Sequence, residues 1–211
     1  MPRTTLAAAF LALASLAACE SGGRAPRPAA DAAPVPTPPL DEQVKTMSAR
    51  SRPGAKHTAL APLAGAWDVR LAEVAPDGLE TDLAHGSATL AWILGGRFLR
   101  WDVTVDFKGF PGTTTGFLGF DARLGEYELL MISDLAQNMA VASGTGDVGS
   151  QGLVFTLEQL DPRSGARARS RSRIRLLAPD HFILQQLESD GMGGDRATRV
   201  WHYRRSAEVR R

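Results

Sequence analysis

The chain has 211 residues, a length typical of one domain with an additional tail. Its 24 lysines and arginines nearly balance its 23 aspartates and glutamates, which argues against a dedicated nucleic-acid-binding protein because phosphate contacts require a basic excess. A hydrophobic share of 44% excludes a chain that is disordered throughout. The single cysteine excludes an internal disulfide and any zinc or iron–sulfur site built from cysteines.

The N-terminus has the organisation of a secretory signal. Arg3 precedes an apolar run over residues 6–18, which is too short to span a bilayer of about 30 Å as a helix. The run ends in Leu16-Ala17-Ala18-Cys19, which resembles the lipobox of bacterial lipoproteins. The resemblance implies that residues 1–18 are a signal peptide and that Cys19 carries the lipid. An ordinary signal peptide with a chance cysteine is the alternative.

The residue after Cys19 indicates in which membrane the lipoprotein is expected to reside. Position 20 is Glu20, not the aspartate that retains lipoproteins of enteric bacteria in the inner membrane. We therefore expect an exported protein of the cell envelope, on the periplasmic face of the outer membrane. Its predicted membrane contact is acylated Cys19, where several chains contribute ~0.8 kcal/mol for each buried CH₂.

Residues 19–56 have the composition of a tether. They contain seven of the 13 prolines, interleaved with alanine and with few large apolar residues. Such a stretch buries too little surface to offset the entropy lost on ordering. We expect a disordered linker, with at most one transient helical turn over residues 41–50.

From residue 57 onward, apolar side chains recur with a period of two, which is typical of β-strands. In the clearest example, Leu99, Trp101 and Val103 alternate with Arg100 and Asp102. Turn residues such as Pro76-Asp77-Gly78 separate the segments. The pattern predicts ten strands, over residues 65–74, 84–94, 97–107, 113–121, 125–134, 138–146, 151–160, 167–177, 181–189 and 196–205.

The predicted fold is all-β. Ten successive strands with short connections form an antiparallel meander, which buries its apolar face most simply by closing into an up-and-down barrel. A two-sheet sandwich is the alternative. Residues 57–63 are expected to form a short helix before the first strand. The barrel domain is thus predicted over residues 57–205, followed by a basic C-terminal tail over 206–211.

Gly65-Ala66-Trp67 resembles the Gly-x-Trp motif of calycins, the superfamily of lipocalins and related barrels. In that motif the tryptophan closes the barrel floor and commonly stacks under an arginine from near the end of the sheet. The resemblance implies this role for Trp67 and a lipocalin-like barrel. The candidates for the arginine are Arg199, Arg204 and Arg205.

A longer series of segments resembles the uncharacterised bacterial family catalogued as domain of unknown function 1579. The segments are Leu63-Ala64-Gly65 before Trp67, then Leu94-Gly95-Gly96-Arg97-Phe98-Leu99-Arg100, then Gly116-Phe117-Leu118-Gly119-Phe120-Asp121, and finally Tyr203-Arg204. The resemblance covers residues 57–205. It implies the barrel shape, and the family brings no established activity.

Aromatic side chains occur on the apolar phases of several strands, where they form either core or the wall of an apolar pocket. A ten-stranded barrel is wider than one of about eight strands, whose interior is just filled by side chains. We therefore expect a cavity that binds a small hydrophobic or amphipathic ligand. The candidate ligand-binding residues are Trp67, Trp92, Trp101, Phe117, Phe155 and Tyr203.

Arginines occupy every second position of the eighth predicted strand. Alternation places all of them on one face, and five unpaired arginines cannot be buried, so this face is expected to point outward. It is either a solvated face paired with Glu158, Glu188 or neighbouring acids, or a contact surface for an anionic lipid or an acidic protein. In the second case the protein is a structural or interaction lipoprotein without a ligand. The five are Arg167, Arg169, Arg171, Arg173 and Arg175.

The sequence contains no recognisable catalytic constellation, so an enzyme is the least favoured class. The four histidines, at positions 57, 85, 181 and 202, lack the spacing of metal ligands. A hydrogen-bonded or exposed histidine is favoured over the haem ligation that His181 or His202 could provide in a small barrel. We expect no metal and no cofactor.

The lipobox resemblance makes a prediction about processing. Changing Cys19 to serine removes the thiol that receives the lipid, so the variant is expected to remain an uncleaved, unlipidated precursor. Its mass in an immunoblot of whole cells, with incorporation of a labelled fatty acid, provides the measurement. Normal cleavage and membrane attachment of the variant would contradict the prediction.

Overall fold

A computed structural model describes residues 37–136, 139–160, 167–190 and 193–207. The predicted signal peptide, Cys19 and the linker up to residue 36 lie outside the described residues, as do residues 208–211 of the predicted tail.

Ten strands form a closed antiparallel barrel, in which each strand pairs with its neighbours in the chain and the first pairs with the last. The up-and-down barrel is confirmed and the sandwich is excluded. The strands are β1 (Gly65–Val74), β2 (Glu80–Ile93), β3 (Phe98–Asp106), β4 (Pro111–Asp121), β5 (Glu126–Ser133), β6 (Ala140–Asp147), β7 (Gly152–Leu160), β8 (Arg167–Ala178), β9 (His181–Ser189) and β10 (Asp195–Arg205).

Strand bounds follow the sequence pattern except where the pairing is irregular. β1 and β9 have the predicted bounds, and most other ends differ by one or two residues. β2 begins at Glu80 instead of residue 84, because its polar first residues continue the pairing with β1 beyond a register shift between Leu71 and Ala72. A bulge interrupts the alternation from which a strand is recognised, so the start of β2 was not visible in the sequence.

Within the described residues from 37 onward, two helices and one 3₁₀ turn precede the sheet. α1 (Leu40–Arg50) lies in a unit separate from the barrel, and it differs from the extended linker expected there. No proline interrupts these eleven residues, the acidic Asp41 and Glu42 in the first turn match the helix dipole, and Asp41 pairs with Lys45 at 3.7 Å. None of the described helices is long and apolar enough to cross a membrane.

The predicted helix before the first strand is present in two short pieces, α2 (Ala55–Thr58) and a 3₁₀ turn (Ala61–Leu63). Leu60 and Leu63 are fully buried against the end of the barrel. The Tyr127 hydroxyl of β5 also donates to the Lys56 carbonyl at 3.1 Å. This segment therefore closes one end of the barrel.

Trp67 fastens the closing segment to the sheet. Its Nε1 donates to the Leu63 carbonyl at 2.9 Å, and the Arg205 guanidinium lies 4.0 Å from the centre of its ring. Arg205 also donates to the carbonyls of Ala64 and Pro62, at 2.5 and 2.9 Å. Gly65 is required beside it, because a Cβ at that position would overlap Nη1 of Arg205. Of the three candidate arginines, Arg205 is the one that stacks on Trp67.

We call this end the floor, comprising Trp67, Arg205 and residues 60–64. The opposite end, where β1, β3, β5, β7 and β9 finish, is the mouth. The two ends differ because the described chain crosses the barrel only at the floor.

Replacing Trp67 with alanine tests the role of the floor. Trp67 is fully buried, so its removal leaves a large cavity, and the free energy of unfolding is expected to fall by ~3–5 kcal/mol. Phe110→Ala is the control, because Phe110 is 75% exposed and its loss is expected to cost under about 0.5 kcal/mol. Urea unfolding of both variants provides the measurement. A loss below about 1 kcal/mol for Trp67→Ala would contradict the assignment of the floor.

Candidate ligand-binding site

The inner face of the barrel becomes less densely filled from the floor to the mouth. Near the floor the inward side chains are large, and Leu99, Trp101, Leu118 and Phe182 have no exposed surface. Toward the mouth, β4, β5, β6 and β8 turn small side chains inward, as register and alternation require. These are Thr114, Ser133, Ala140, Ala142, Ser170 and Ser172.

Apolar side chains in the same part of the interior are only partly buried. Met131, Leu157, Leu184 and Trp201 pack against the core on one side and retain exposed surface on the other. Their inward direction follows from their pairing, for example Leu184 with Trp201. We call this region, with the six small residues above, the mouth half. Because the inward apolar side chains are only partly covered, we call the space beside them the recess.

The rim of the mouth half is polar. A hollow of about 510 Å³ lies between the ends of β1, β2, β9 and β10, and Glu73, Thr81, Gln186 and Arg199 line its inner side. Arg196 and Glu188 lie in the same hollow and pair at 3.8 Å. An adjoining hollow of about 470 Å³ shares Gln186 and Glu188 and extends to Ser170 on β8. The entrance thus combines hydrogen-bonding groups and charges of both signs above an apolar recess.

An aromatic layer separates the mouth half from the floor. Phe182 and Tyr203 stack with ring centres 4.3 Å apart, and Trp67 meets Phe182 edge-on at 4.7 Å. Trp101 meets Tyr203 edge-on at 5.4 Å. Burial raises the pKa of Tyr203 well above its ordinary value, so the phenol stays protonated at physiological pH. These rings form the base of the recess.

The predicted ligand-binding residues therefore have different positions. Trp67, Trp101, Phe155 and Tyr203 are buried on the inner face, where they form its base, and Trp92 lies inward near the floor. Phe117 differs from the expectation and lies on the outer face. The partners of Phe117 are Arg100 and Leu130, whereas the adjacent Leu118 occupies the inner phase.

Most of the mouth-half residues were not singled out from the sequence. Thr114, Ala142, Ser172 and similar residues are small and carry no chemical signature. What could have found them is their phase, since each lies an even number of residues from a buried side chain on the same strand. The sequence signal was therefore the alternation, not the residue type.

The arginine face of β8 points outward, as predicted. Arg169 donates to Glu158 at 2.9 Å, and Arg171 donates to Asp195 at 2.6 Å. Arg173 lies 4.0 Å from Asp195. Its Nε and that of Arg175 are buried without a hydrogen-bond partner in the described part of the chain. The side chain of Arg167 lies outside the described residues.

The other two floor candidates have separate surroundings. Arg199 lines the hollow at the mouth, in register with Glu73 on β1. Arg204 is exposed on the outer face, in register with Asp68. Trp67 pairs in register with Arg205 and not with either of these two arginines.

Two of the histidines form a network on the outer face. His181 Nε2 lies 3.2 Å from His202 Nδ1, and His202 Nε2 lies 3.1 Å from Glu80, which also binds Arg70. Burial alone would raise the pKa of Glu80, but the hydrogen bonds from Arg70 and His202 bring it below its ordinary value. The network links β9, β10, β1 and β2 where the barrel closes. Both histidines face away from the interior, so neither offers a ligand to a group bound there.

Among the residues that the structure describes, no three histidine, cysteine or acidic side chains converge to hold a metal ion.

A closed up-and-down antiparallel barrel, with Arg205 stacked on Trp67 where the first and last strands pair, defines a lipocalin-like fold. The chain belongs to the family described as "Protein of unknown function (DUF1579)", whose model matches residues 52–205. The family resemblance noted from the sequence is thereby confirmed.

The chain is similar to two solved structures, and the first of them has the same fold. The crystal structure of Rv2717c from M. tuberculosis matches with a TM-score of 0.51 and 19% identity, covering 74% of this chain and 99% of that one. The structure of the S-type phycobiliprotein lyase CPES from Guillardia theta matches with a TM-score of 0.41 and 12% identity, covering 73% of this chain and 98% of that one. No match was found among curated proteins.

Proposed function

We propose that this protein binds a small hydrophobic or amphipathic molecule in the mouth half of its barrel. The observation that carries the proposal is the partial exposure of inward apolar side chains, Met131, Leu157, Leu184 and Trp201, above a fully buried aromatic base. A side chain that turns inward and still meets solvent marks a recess. Ligand sites in proteins are typically apolar recesses with a few polar groups at the entrance.

The lining of the site defines the expected ligand. The hollow of about 510 Å³ at the rim is lined by polar residues and forms the entrance, whereas the apolar side chains lie deeper in the barrel. The apolar part of the ligand would replace water against Trp201 and Leu184, at roughly 25 cal/mol for each Å² buried. Its polar end would remain at the rim, beside Gln186 and Arg199.

The protein would act at a membrane surface in the cell envelope. Support for this part comes from the lipobox-like sequence that ends at Cys19 and from the proline-rich composition of residues 20–39. An acylated Cys19 would hold the barrel on the periplasmic face of the outer membrane through a flexible tether. A tethered barrel would exchange an apolar molecule with the bilayer without diffusing through water.

A second candidate function uses the arginine face in place of the recess. Arg173 and Arg175 are partly exposed on this face, which favours a contact there with an anionic lipid or an acidic protein. Arg169 and Arg171 already pair with Glu158 and Asp195, which reduces the charge available to such a partner. Binding in the recess is therefore the better supported function.

Two neighbouring threonines on β4 allow a matched test. Thr114 turns inward, in register with Val103, whereas Thr113 turns outward, in register with Thr104. Thr114→Trp is expected to fill the recess and weaken binding of the apolar fluorescent probe N-phenylnaphthylamine at least about tenfold, and Thr113→Trp to change it less than about twofold. Fluorescence titration of the purified chain provides the measurement. Equal affinities of the two variants, or no binding by the unmodified chain, would contradict the proposal.

A further inference from the structure

One polar group at the base of the recess has no partner. Trp101 has no exposed surface, and its Nε1 is buried without a hydrogen-bond acceptor in the described part of the chain. A buried N–H without an acceptor is costly, and such groups are rare in folded proteins. By contrast, Nε1 of Trp67 in the same core donates to the Leu63 carbonyl. The Trp101 N–H is therefore available to a molecule that enters the recess.

Tyr203 provides a second polar group at the same place. Its ring centre lies 5.4 Å from that of Trp101, and the two rings meet edge-on. By distance and angle, the Tyr203 oxygen does not accept a hydrogen bond from Trp101 Nε1, which has no acceptor in the described part of the chain. Since burial raises the pKa of Tyr203, the phenol keeps its proton and can donate it in a hydrogen bond. Trp101 and Tyr203 are thus two donors that an acceptor atom between them could satisfy.

The charge environment limits what that acceptor can be. No charged side chain is among the buried residues that the structure describes. Arg205 is engaged at the floor, where it stacks on Trp67 and donates to the carbonyls of Ala64 and Pro62. A carboxylate or phosphate at the base would lose its hydration without gaining a counter-charge, which is strongly unfavourable. The acceptor must therefore be uncharged.

A movable side chain lies between the base and the recess. Trp101 is in register with Gly116, and Gly116 is in register with Met131. Because Gly116 has no side chain, Met131 occupies that space, and a Cβ at Gly116 would overlap its Sδ. Met131 is partly exposed on its other side. Methionine is unbranched and adapts readily, so a ligand can displace it and reach Trp101.

From these contacts we infer that the ligand is an apolar molecule bearing an uncharged carbonyl group, such as a ketone or an ester. The carbonyl oxygen accepts hydrogen bonds from Trp101 Nε1 and from the Tyr203 hydroxyl at the base of the recess. The apolar body of the ligand lies against Leu184 and Trp201, and any charged end stays at the rim. The inference rests on the proposed function and adds the class and orientation of the ligand.

Three matched probes test the inference with the purified chain. They are a propionyl-dimethylaminonaphthalene ketone, its propyl analogue without the carbonyl, and the corresponding carboxylate. We expect the ketone to bind about tenfold more tightly than the propyl analogue, which corresponds to ~1.4 kcal/mol, and the carboxylate to bind most weakly. The emission of the bound ketone is expected to lie to the red of its emission in an apolar aprotic solvent, because its carbonyl accepts a hydrogen bond in the recess.

Conservative variants identify the donors. Trp101→Phe and Tyr203→Phe each remove one donor and keep an aromatic ring, so each is expected to lower the affinity for the ketone several-fold more than the affinity for the propyl analogue. Tyr127→Phe is the control, because it removes a tyrosine hydroxyl whose bond is to Lys56 at the floor. If Trp101→Phe impairs folding, Tyr203→Phe and the spectral shift decide the question.

The outcomes separate this inference from the proposed function. If the ketone and the propyl analogue bind equally to the unmodified chain, a water molecule alone occupies the donors and the inference is wrong, while the recess still binds apolar molecules. Tightest binding of the carboxylate would also overturn the inference. If none of the three probes binds, the proposed function itself fails.

Discussion

The stacking of Arg205 on Trp67 is the contact on which the rest of this structure depends. It joins the last residue of β10 to the third residue of β1. The Arg205 guanidinium also donates to the Ala64 and Pro62 carbonyls of the segment that crosses the floor. The same ring is tied to that segment through Leu63. The contact between Arg205 and Trp67 therefore links closure of the sheet to closure of the floor. The same contacts close this end of the barrel to solvent.

The inner face of the barrel is filled differently at its two ends. Near the floor, Trp67, Phe182, Tyr203 and Trp101 stack edge-on and face-on with no exposed surface, which is where burial contributes most to folding. Toward the mouth, small side chains such as Ala142 and Ser172 leave the interior incompletely filled. A recess of this kind forfeits some burial, as binding sites commonly do. The unsatisfied Trp101 N–H lies at the boundary between the two regions.

The sequence predicted the fold well because alternation is a local property that closure does not change. β1 and β9 have the expected bounds, and the pairing of β10 with β1 follows from closing a meander of ten strands. Irregular pairing was invisible, as at Leu71 and Ala72, and α1 was expected only as a transient turn, because its sequence lies beside a proline-rich stretch. Phe117 was assigned to the wrong face because the glycines around it obscure the phase of β4. The choice of Arg205 over its neighbours depended on register, which spacing along the chain does not specify.

Identifying any small molecule that co-purifies with the protein would test directly whether the barrel binds a ligand. Mass spectrometry of the purified chain under native conditions would detect a bound molecule, and a second spectrum after denaturation would release it for identification. If the recess binds a ligand, we expect a stoichiometric small molecule that is largely apolar and carries an uncharged carbonyl. A protein that is empty under native conditions and also fails to take up an apolar probe would contradict the account.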